Sequence, residues 1–371
     1  MALTQLDIVT DEQLDDLVGA DAENVEVGGC RALLGSSATA FIVPARDTPT
    51  LSTVWSASEF RLRSNGPVLP MRLFGPARQG LPVHLFFASD RGPLYLGKLR
   101  HRRGMWEQRS PLEERGLIVM DMSITPPVPR RVLERVRPVA VTDDLPGLGW
   151  LDILEHDRAA ALEEFVAGWY GPPDPAAEKP PITLARVPAR LAALYRLAHG
   201  RPHQHGRPVV LGIQNRIVEP DRLYTEPSDG SLVFGSENQG GFEWSLDQYP
   251  HGDDPTVWTT ENVEPIAELE PLSGFLMQFS LHEAAMSAPY YAILNRRPTH
   301  EGQRLIGRLH RVPLAPARWY GYDMEFHVAP GLIAAGGHDG EDSCHFWLGA
   351  SHRSALSKLA DLDVTWQRFD G

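Results

Sequence analysis

Short runs of apolar and β-branched residues, separated by turn-forming residues, fill the first third of the chain. In STVWSASEFRLRS, Phe60 and Leu62 alternate with Arg61 and Arg63, which is the period of a strand with one buried face. Similar runs are RALLG, ATAFIVPA, MRLFG, VHLFFAS and LYLGKLR. Turns recur among them at the spacing of about 8–12 residues that is typical of all-β modules. We therefore predict a mainly β module over residues 1–140, folded as a small barrel or a curled sheet.

One short helix is predicted ahead of these strands, over Thr10–Ala20. Thr10 and Gln13 have the spacing of a capping box, in which the two side chains satisfy free backbone N–H groups at the helix start.

The rest of the chain mixes helical and strand periods. A helix is predicted over Asp152–Tyr170. A second helix is predicted from one apolar stripe, formed by Val187, Leu191, Leu194 and Ala198. Pro188 lies in its first turn and Gly200 follows its end. The runs SLVF and FEWSL flank the polar turn SENQGG and predict a β-hairpin whose second strand buries Phe242, Trp244 and Leu246.

The pattern after the hairpin continues the same mixture. An amphipathic helix is predicted from the stripe Leu272, Phe275, Leu276 and Phe279. A hairpin is predicted around Pro330–Gly331, followed by the strand CHFWLG, a helix over Ser354–Leu359 and the strand VTWQRF. The fold class predicted for this module is α+β rather than a doubly wound βαβ fold.

Charge divides the chain in the same way as the hydrophobic pattern. The 371 residues carry a net charge of −13, but residues 51–137 hold 7 acids and 15 bases, while residues 138–300 hold 23 acids and 11 bases. The change of sign places the boundary at about 138–150 and predicts a basic β module, 1–140, followed by an α+β domain, 150–371. The asymmetry indicates two modules with different partners, or two faces that meet each other.

Several classes of protein are disfavoured by composition. The two cysteines, Cys30 and Cys344, are too few for a disulfide framework or a cysteine-rich metal site. The longest stretch without a charged residue has 14 residues, whereas a membrane helix needs about 20. The acidic start, MALTQLDIVTDEQLDDL, is unlike a secretion signal. We expect a soluble, cytoplasmic protein with no membrane partner, and the negative charge disfavours nucleic-acid binding by the whole chain.

The sequence contains no complete local signature of an enzyme. Neither GxxxxGK[ST], GxGxxG nor GxSxG is present in a suitable context, and HEAAM at His282 lacks the second histidine of HExxH. We expect no catalysis, no cofactor and no metal. One alternative stays open, in which histidines of the last quarter converge with nearby acids on a metal: His310, His327, His338 and His345, with Asp339, Glu341 and Asp342.

Four ordered segments resemble the SUKH superfamily, which includes yeast cell-wall-synthesis regulators and many bacterial immunity proteins. They are VPARLAALYRLAHGRP, LGIQNRIVEPDRLY, DGSLVFGSENQGGFEWSL and DDPTVW. The resemblance covers about residues 150–371. Val187-Pro188 stands where the family has a proline pair, and Gly241 stands where it has an apolar residue after ENQG. The resemblance implies a SUKH-like mixed sheet with packed helices, and a protein that binds partner proteins without catalysis, such as an immunity protein that neutralises a toxin.

The candidate partner-binding residues surround the ENQG turn. They are Glu237, Asn238, Gln239, Gly240, Trp244, Asp247, Asp253 and Asp254. Trp244 has two alternatives, since an exposed ring would anchor a partner and a buried ring would belong to the core. The acids are expected beside the turn, where they would attract a toxin with a basic, nucleic-acid-binding cleft. The alternative is that the negative charge only keeps the protein soluble.

A different hypothesis concerns the basic module. Aromatic residues are interleaved there with arginines, as on barrels that bind single-stranded nucleic acid. The candidate anion-binding residues are Arg61, Arg63, Arg72, Arg100, Arg102 and Arg103. They would make the chain a two-part sensor or scaffold; the alternative is a solvated strand face.

Overall fold

The computed structural model describes most of the second half of the chain and parts of the first. The described residues are 3–27, 30–44, 70–71, 76–78, 80–101, 117–119, 122–125, 142–177, 187–204, 207–247, 253–261, 264–319, 322–340 and 342–369. Helices and several sheets are both present, so the fold class is α+β. The chain divides into two compact units, Met1–Ala140 with Arg368–Asp370, and Val141–Gln367 with Gly371. The division falls within the stretch 138–150, where the charge changes sign.

Unit 1 begins with the short helix that the capping box predicts. Helix α1 covers Asp11–Val18, slightly less than expected. The Gln13 backbone N–H donates to Thr10 Oγ1 at 3.2 Å, and the Thr10 backbone N–H donates to Gln13 Oε1 at 2.8 Å. The predicted capping box is confirmed. The helix buries Leu14 and Val18, which share a core cluster with Phe86 and Tyr95.

The strands of unit 1 form an open mixed sheet. They are β1 Glu23–Val27, β2 Cys30–Leu34, β3 Thr39–Pro44, β4 Pro70–Met71, β5 Pro76–Arg78, β6 Val83–Ser89, β7 Gly92–His101, β8 Leu117–Val119 and β9 Met122–Thr125. Sheet A has the order β1-β2-β3-β6-β7-β9-β4, while β5 pairs with β8. Strands β3 and β6 run parallel. A barrel requires its first and last strands to pair, and β1 and β4 do not, so within the described residues the predicted small barrel is wrong. The predicted strand STVWSASEFRLRS lies outside those residues.

Unit 2 contains the remaining helices and nearly all the remaining strands. The helices are α2 Gly149–Leu154, α3 Arg158–Tyr170, α4 Ala189–Ala198, α5 Leu272–Met286, α6 Thr299–Ile306 and α7 Arg353–Ser357, with 3₁₀ turns at Val209–Leu211 and Pro220–Arg222. The strands are β10 His203–Gln204, β11 Arg207–Pro208, β12 Asn215–Ile217, β13 Tyr224–Thr225, β14 Leu232–Glu237, β15 Glu243–Leu246, β16 Thr256–Glu261, β17 Glu264–Pro271, β18 Tyr290–Pro298, β19 His310–Arg311, β20 Glu325–Ala329, β21 Leu332–Asp339 and β22 Ser343–Ala350. The last strand, β23 Arg368–Phe369, belongs to the residues grouped with unit 1.

The single helix predicted over Asp152–Tyr170 is two helices. Asp157 has extended backbone angles, and its Oδ1 accepts the N–H groups of Ala159 and Ala160 at 3.0 and 3.1 Å. An aspartate in this position caps a new helix rather than continuing the old one. Helix α3 therefore starts at Arg158.

Two sheets of unit 2 enclose one buried helix. Sheet B has the order β12-β14-β15-β16-β17, and β13 pairs with β14 along the same edge as β12. Sheet C runs β19-β20-β21-β22-β18 within this unit. Helix α5 contacts both sheets and helices α3 and α4. At sheet C the approach is so close that a Cβ on Gly349 would lie 2.2 Å from the Ala285 carbonyl oxygen, so only glycine fits there.

Helix α5 is buried on every side, not only along the predicted apolar stripe. All residues from Leu272 to Ala285 are buried, including Gln278, His282 and Glu283. Three of its polar residues, Ser273, Gln278 and Glu283, bond to other segments; the Gln278 amide, for example, donates to the Ala315 carbonyl at 2.7 Å. The prediction of an amphipathic helix is therefore wrong, although the predicted apolar positions are all in the core.

Glu283 makes the most extensive of these attachments. Its side chain is fully buried. Its two carboxylate oxygens accept three consecutive backbone N–H groups, from Ile213 and Gln214 at 2.8 Å each and from Asn215 at 2.9 Å. This segment leads into β12, so Glu283 joins the edge of sheet B to the central helix.

The other buried carboxylates act in the same way. Among the described residues three more glutamates are buried, and each accepts a backbone N–H from a distant segment: Glu268 from Arg318 at 3.3 Å, Glu270 from Ala315 at 2.7 Å and Glu301 from Thr365 at 2.6 Å. Hydrogen bonds of this kind offset the cost of burying a charge.

We predict that Glu283→Gln lowers the free energy of unfolding by about 2–4 kcal/mol, because an amide replaces one acceptor oxygen with a donor that faces N–H groups. Chemical denaturation followed by tryptophan fluorescence measures the change. Glu264→Gln removes an exposed carboxylate and serves as the matched control, with an expected change within about 0.5 kcal/mol. Equal stability of the two variants would contradict the anchoring role of Glu283.

We also predict that acid destabilises unit 1 through His84. Burial, and to a smaller extent the charge of Lys98, lower the pKa of His84 from 6.5 to about 4. The folded state binds the His84 proton more weakly than the unfolded state does. The stability that the neutral His84 side chain contributes is therefore complete above about pH 6.5 and is lost as the pH falls toward 4. Amide protection factors of β6 and β7 should fall across this range in the unmodified chain and less steeply in His84→Gln. Identical profiles would contradict the prediction.

Candidate functional site

The ENQG motif forms the turn between β14 and β15. Glu237 Oε2 accepts the backbone N–H groups of Gln239 at 2.7 Å and of Gly241 at 3.1 Å. Gly240 has a φ of 77°, in the region that favours glycine. Glu237 and Gly240 therefore build the turn. Glu237 and Asn238 are half-buried, and Gln239 and Gly240 are the exposed members of the motif.

Trp244 belongs to the core. Its side chain is fully buried. Its ring centroid lies 5.2 Å from those of Phe275 and Trp319, and 5.9 Å from that of Phe279. Of the two alternatives for Trp244, the structure places it in the core, and it offers no surface to a partner. The predicted inward set is confirmed, since Phe242 and Leu246 are also buried.

The acids Asp247, Asp253 and Asp254 do not lie beside the ENQG turn. Strand β15 runs away from the turn for four residues, about 13 Å, before Asp247 is reached. Asp247 and Asp253 are exposed. Asp254 has a structural contact, since its carboxylate accepts the Ser273 N–H at 2.7 Å and the Ser273 hydroxyl at 2.6 Å, at the start of α5. The expected single cluster is therefore divided between the two ends of sheet B.

Sheet B holds most of the negative charge of the chain. Residues 215–271 contain 13 acidic and 2 basic residues, a net charge of −11. Seven of these acids are exposed: Asp221, Asp229, Glu243, Asp247, Asp253, Glu261 and Glu264. The net charge of the longer segment 138–300 does not show where its acids are concentrated. A count of charged residues over the strands of the predicted hairpin and its neighbours locates them.

The two buried acids of this sheet are not part of that surface. Glu268 and Glu270 bond to the segment 315–318, and Thr259 donates its hydroxyl to Glu268. Burial raises the pKa of the Glu268 carboxyl, against the opposing effect of its hydrogen bonds. Glu270 also pairs with Arg158 at 2.8 Å. These groups hold sheet B in place.

The candidate anion-binding arginines lie outside what the structure describes. Arg61, Arg63, Arg72, Arg102 and Arg103 are not among the described residues, and of Arg100 only the backbone, in β7, is described. The anion-binding face of the basic module stays a prediction.

The histidines considered for a metal site lie in different surroundings. His282 is buried, with its Nδ1 3.0 Å from Glu283 Oε1. His345 Nδ1 lies 2.9 Å from Asn295 Oδ1, while His310 and His338 are exposed. Within the described residues, no three His, Cys, Asp or Glu side chains are grouped so that they could hold a metal ion.

One small cleft opens in unit 2 between the start of α2, helix α3 and the β20–β21 turn. Its volume is about 80 Å³, and Trp150, Phe165 and Trp169 contribute to its mainly apolar wall. Sites for small organic ligands are usually about 300–1,000 Å³, so this cleft is too small to hold one.

In comparisons with known proteins, no family model, curated protein or solved structure matches the chain. In the part of the chain that the structure describes, no helix is both long and apolar enough to span a membrane.

We predict that Gly240→Ala destabilises the protein by about 1 kcal/mol, since an L side chain is strained at this φ. A Cβ atom at this position would have no other heavy atom within 4 Å beyond its immediate neighbours, so the whole cost is conformational. Gly241→Ala is the matched control: its φ is not positive, its Cβ would meet Glu237 Oε2 at an ordinary 3.5 Å, and little change is expected. Thermal unfolding of both variants tests the prediction, which equal melting temperatures would contradict.

Proposed function

We propose that this chain is a non-catalytic, cytoplasmic protein-binding protein that uses sheet B to bind a basic protein. In its most specific form the proposal is a bacterial immunity protein of the SUKH superfamily that neutralises a toxin. The observation that carries it is the concentration of a net charge of −11 in residues 215–271.

The exposed acids are suited to attract a basic partner. Seven exposed carboxylates lie on the strands and connecting turns of residues 215–271, where the exposed bases are Arg216 and Arg222. A surface of one sign raises the rate of association with an oppositely charged surface, and the effect weakens as salt is added. A nuclease or nucleotide-modifying toxin has a basic cleft because its substrate is anionic. An acidic sheet fits such a cleft, and it would block substrate access directly.

The rigidity of sheet B also supports binding. The carboxylates of Glu268, Glu270 and Glu283 tie the sheet and its neighbouring segments together. A surface that is ordered before binding loses less conformational entropy when the complex forms.

The proposal is tested with the toxin domain encoded beside the gene for this chain, inactivated by mutation for the binding assays. We expect co-expression with the active toxin to protect cells, and the purified chain to bind the inactivated domain in a pull-down. A chain that neither binds nor protects against such a domain would contradict the proposal.

We further predict that neutralising the acidic sheet slows association at low salt by about tenfold or more. The variant carries Asp247→Asn, Asp253→Asn, Glu261→Gln and Glu264→Gln. The control removes the same charge from exposed acids elsewhere in unit 2, with Asp152→Asn, Glu155→Gln, Glu163→Gln and Asp361→Asn. Stopped-flow or surface-plasmon measurements should show slow association for the first variant alone. Equal rates for the two variants would mean that total charge, rather than sheet B, attracts the partner.

A further inference from the structure

Sheet B has a second face, turned away from α5. In antiparallel sheets, residues that are direct partners lie on the same face. The register across five strands places one row of side chains opposite one another: Tyr224, Val233, Ser245, Trp258 and Ala267. Trp244 occupies the neighbouring position on β15 and points to the core, so this row lies on the other face, which we call the outer face. Leu269 follows Ala267 by two residues and lies on the same face of β17.

The outer face exposes large apolar side chains. Tyr224 is 42% exposed and Leu269 is 45% exposed, Trp258 and Ala267 are half-buried, and Val233 and Ser245, on the middle strands, are buried. With a spacing of about 4.8 Å between strands, a row across five strands is about 19 Å wide. Apolar side chains grouped at this scale on one face are typical of a surface that binds another protein.

Acidic side chains border this apolar row. Glu243 lies in the next row and accepts the Tyr224 hydroxyl proton at 2.9 Å. Partial burial and this hydrogen bond raise the pKa of Tyr224 to about 12. Glu261 and Glu264, direct partners at the end of the sheet that holds the ENQG turn, are exposed too but lie by register on the face of Trp244.

The opposite end of the sheet is acidic as well. Asp229, in the turn between β13 and β14, and Asp247, after β15, are both exposed there. The row of Glu243 continues to Arg216, at the β12 edge. Arg216 is the one basic residue in this row and in the row of Tyr224. An apolar centre with a charged, solvent-accessible border is the usual composition of a protein–protein interface.

We propose that the outer face of sheet B is the docking surface for a basic protein, whose apolar side chains contact Tyr224, Trp258 and Leu269 and whose lysines and arginines contact the bordering acids. This inference rests on the proposed function and assigns its contact surface. Charge complementarity selects the occupant, because a second copy of the chain would bring the same acids into contact and be repelled.

Leu269→Arg is the direct test. It replaces an exposed apolar side chain at the β17 edge of the proposed surface with a cation that repels a basic partner. Calorimetry with the inactivated toxin domain should show a Kd raised by about 30-fold or more, the size of a hot-spot effect. Gln303→Arg makes the same charge change at an exposed position on α6 and should change Kd by less than about threefold. Leu269→Met keeps the apolar contact and should bind like the unmodified chain.

A second variant, Tyr224→Ala, guards against misfolding at position 269, and the melting temperature of each variant is measured alongside. Reduced binding by Leu269→Arg and Tyr224→Ala, with unchanged binding by Gln303→Arg, supports the docking surface. Unchanged binding by the two outer-face variants, or an equal loss in Gln303→Arg, overturns the docking surface and leaves the proposed function standing. Absence of binding by the unmodified chain contradicts the proposed function, and this inference with it.

Discussion

Buried carboxylates that accept backbone N–H groups hold unit 2 together. Glu283 has no exposed surface, yet it receives three N–H groups from the segment that enters sheet B. Glu268 and Glu270 receive N–H groups from residues 315–318. Irregular segments have no partner strand or helix to satisfy their backbone, and in water-free surroundings each unsatisfied N–H is costly. The glutamates supply those acceptors, and this allows loops to pass beside a helix that is buried on all sides.

The acids of the second unit therefore serve two purposes that depend on their position. Those that face inward are bonded to backbone and fix sheet B relative to α5. Those that are exposed, such as Glu243 on the outer face and Asp247 after β15, leave the sheet with an uncompensated negative charge. We propose that this anchored sheet, with its apolar row and acidic border, binds a basic protein surface. The same residue type thus stabilises the fold on one face and, in the account proposed here, recognises a partner on the other.

Sequence patterns succeeded where the determining contacts are local. The Thr10–Gln13 capping box spans three residues, and the alternation of Phe242, Trp244 and Leu246 is a property of one strand. They failed where the contacts are remote. The polar side of α5 predicts exposure, but its partners, Ile213 and Ala315 among them, lie far away in the chain. Asp254 follows ENQG closely in sequence, yet an extended strand carries it to the opposite end of the sheet, where it bonds to Ser273. The SUKH resemblance and the anion-binding arginines stay predictions.

Native-state hydrogen exchange in the free protein measures how firmly Glu283 holds the edge of sheet B. If Glu283 holds sheet B to the central helix, the amide protons of Ile213, Gln214 and Asn215 should exchange only when the unit unfolds. Their opening free energy should then equal that of amides in the middle of α5, despite their place in an irregular segment. Exchange of these three amides by local opening, at the rates of exposed loop residues, would contradict the claim.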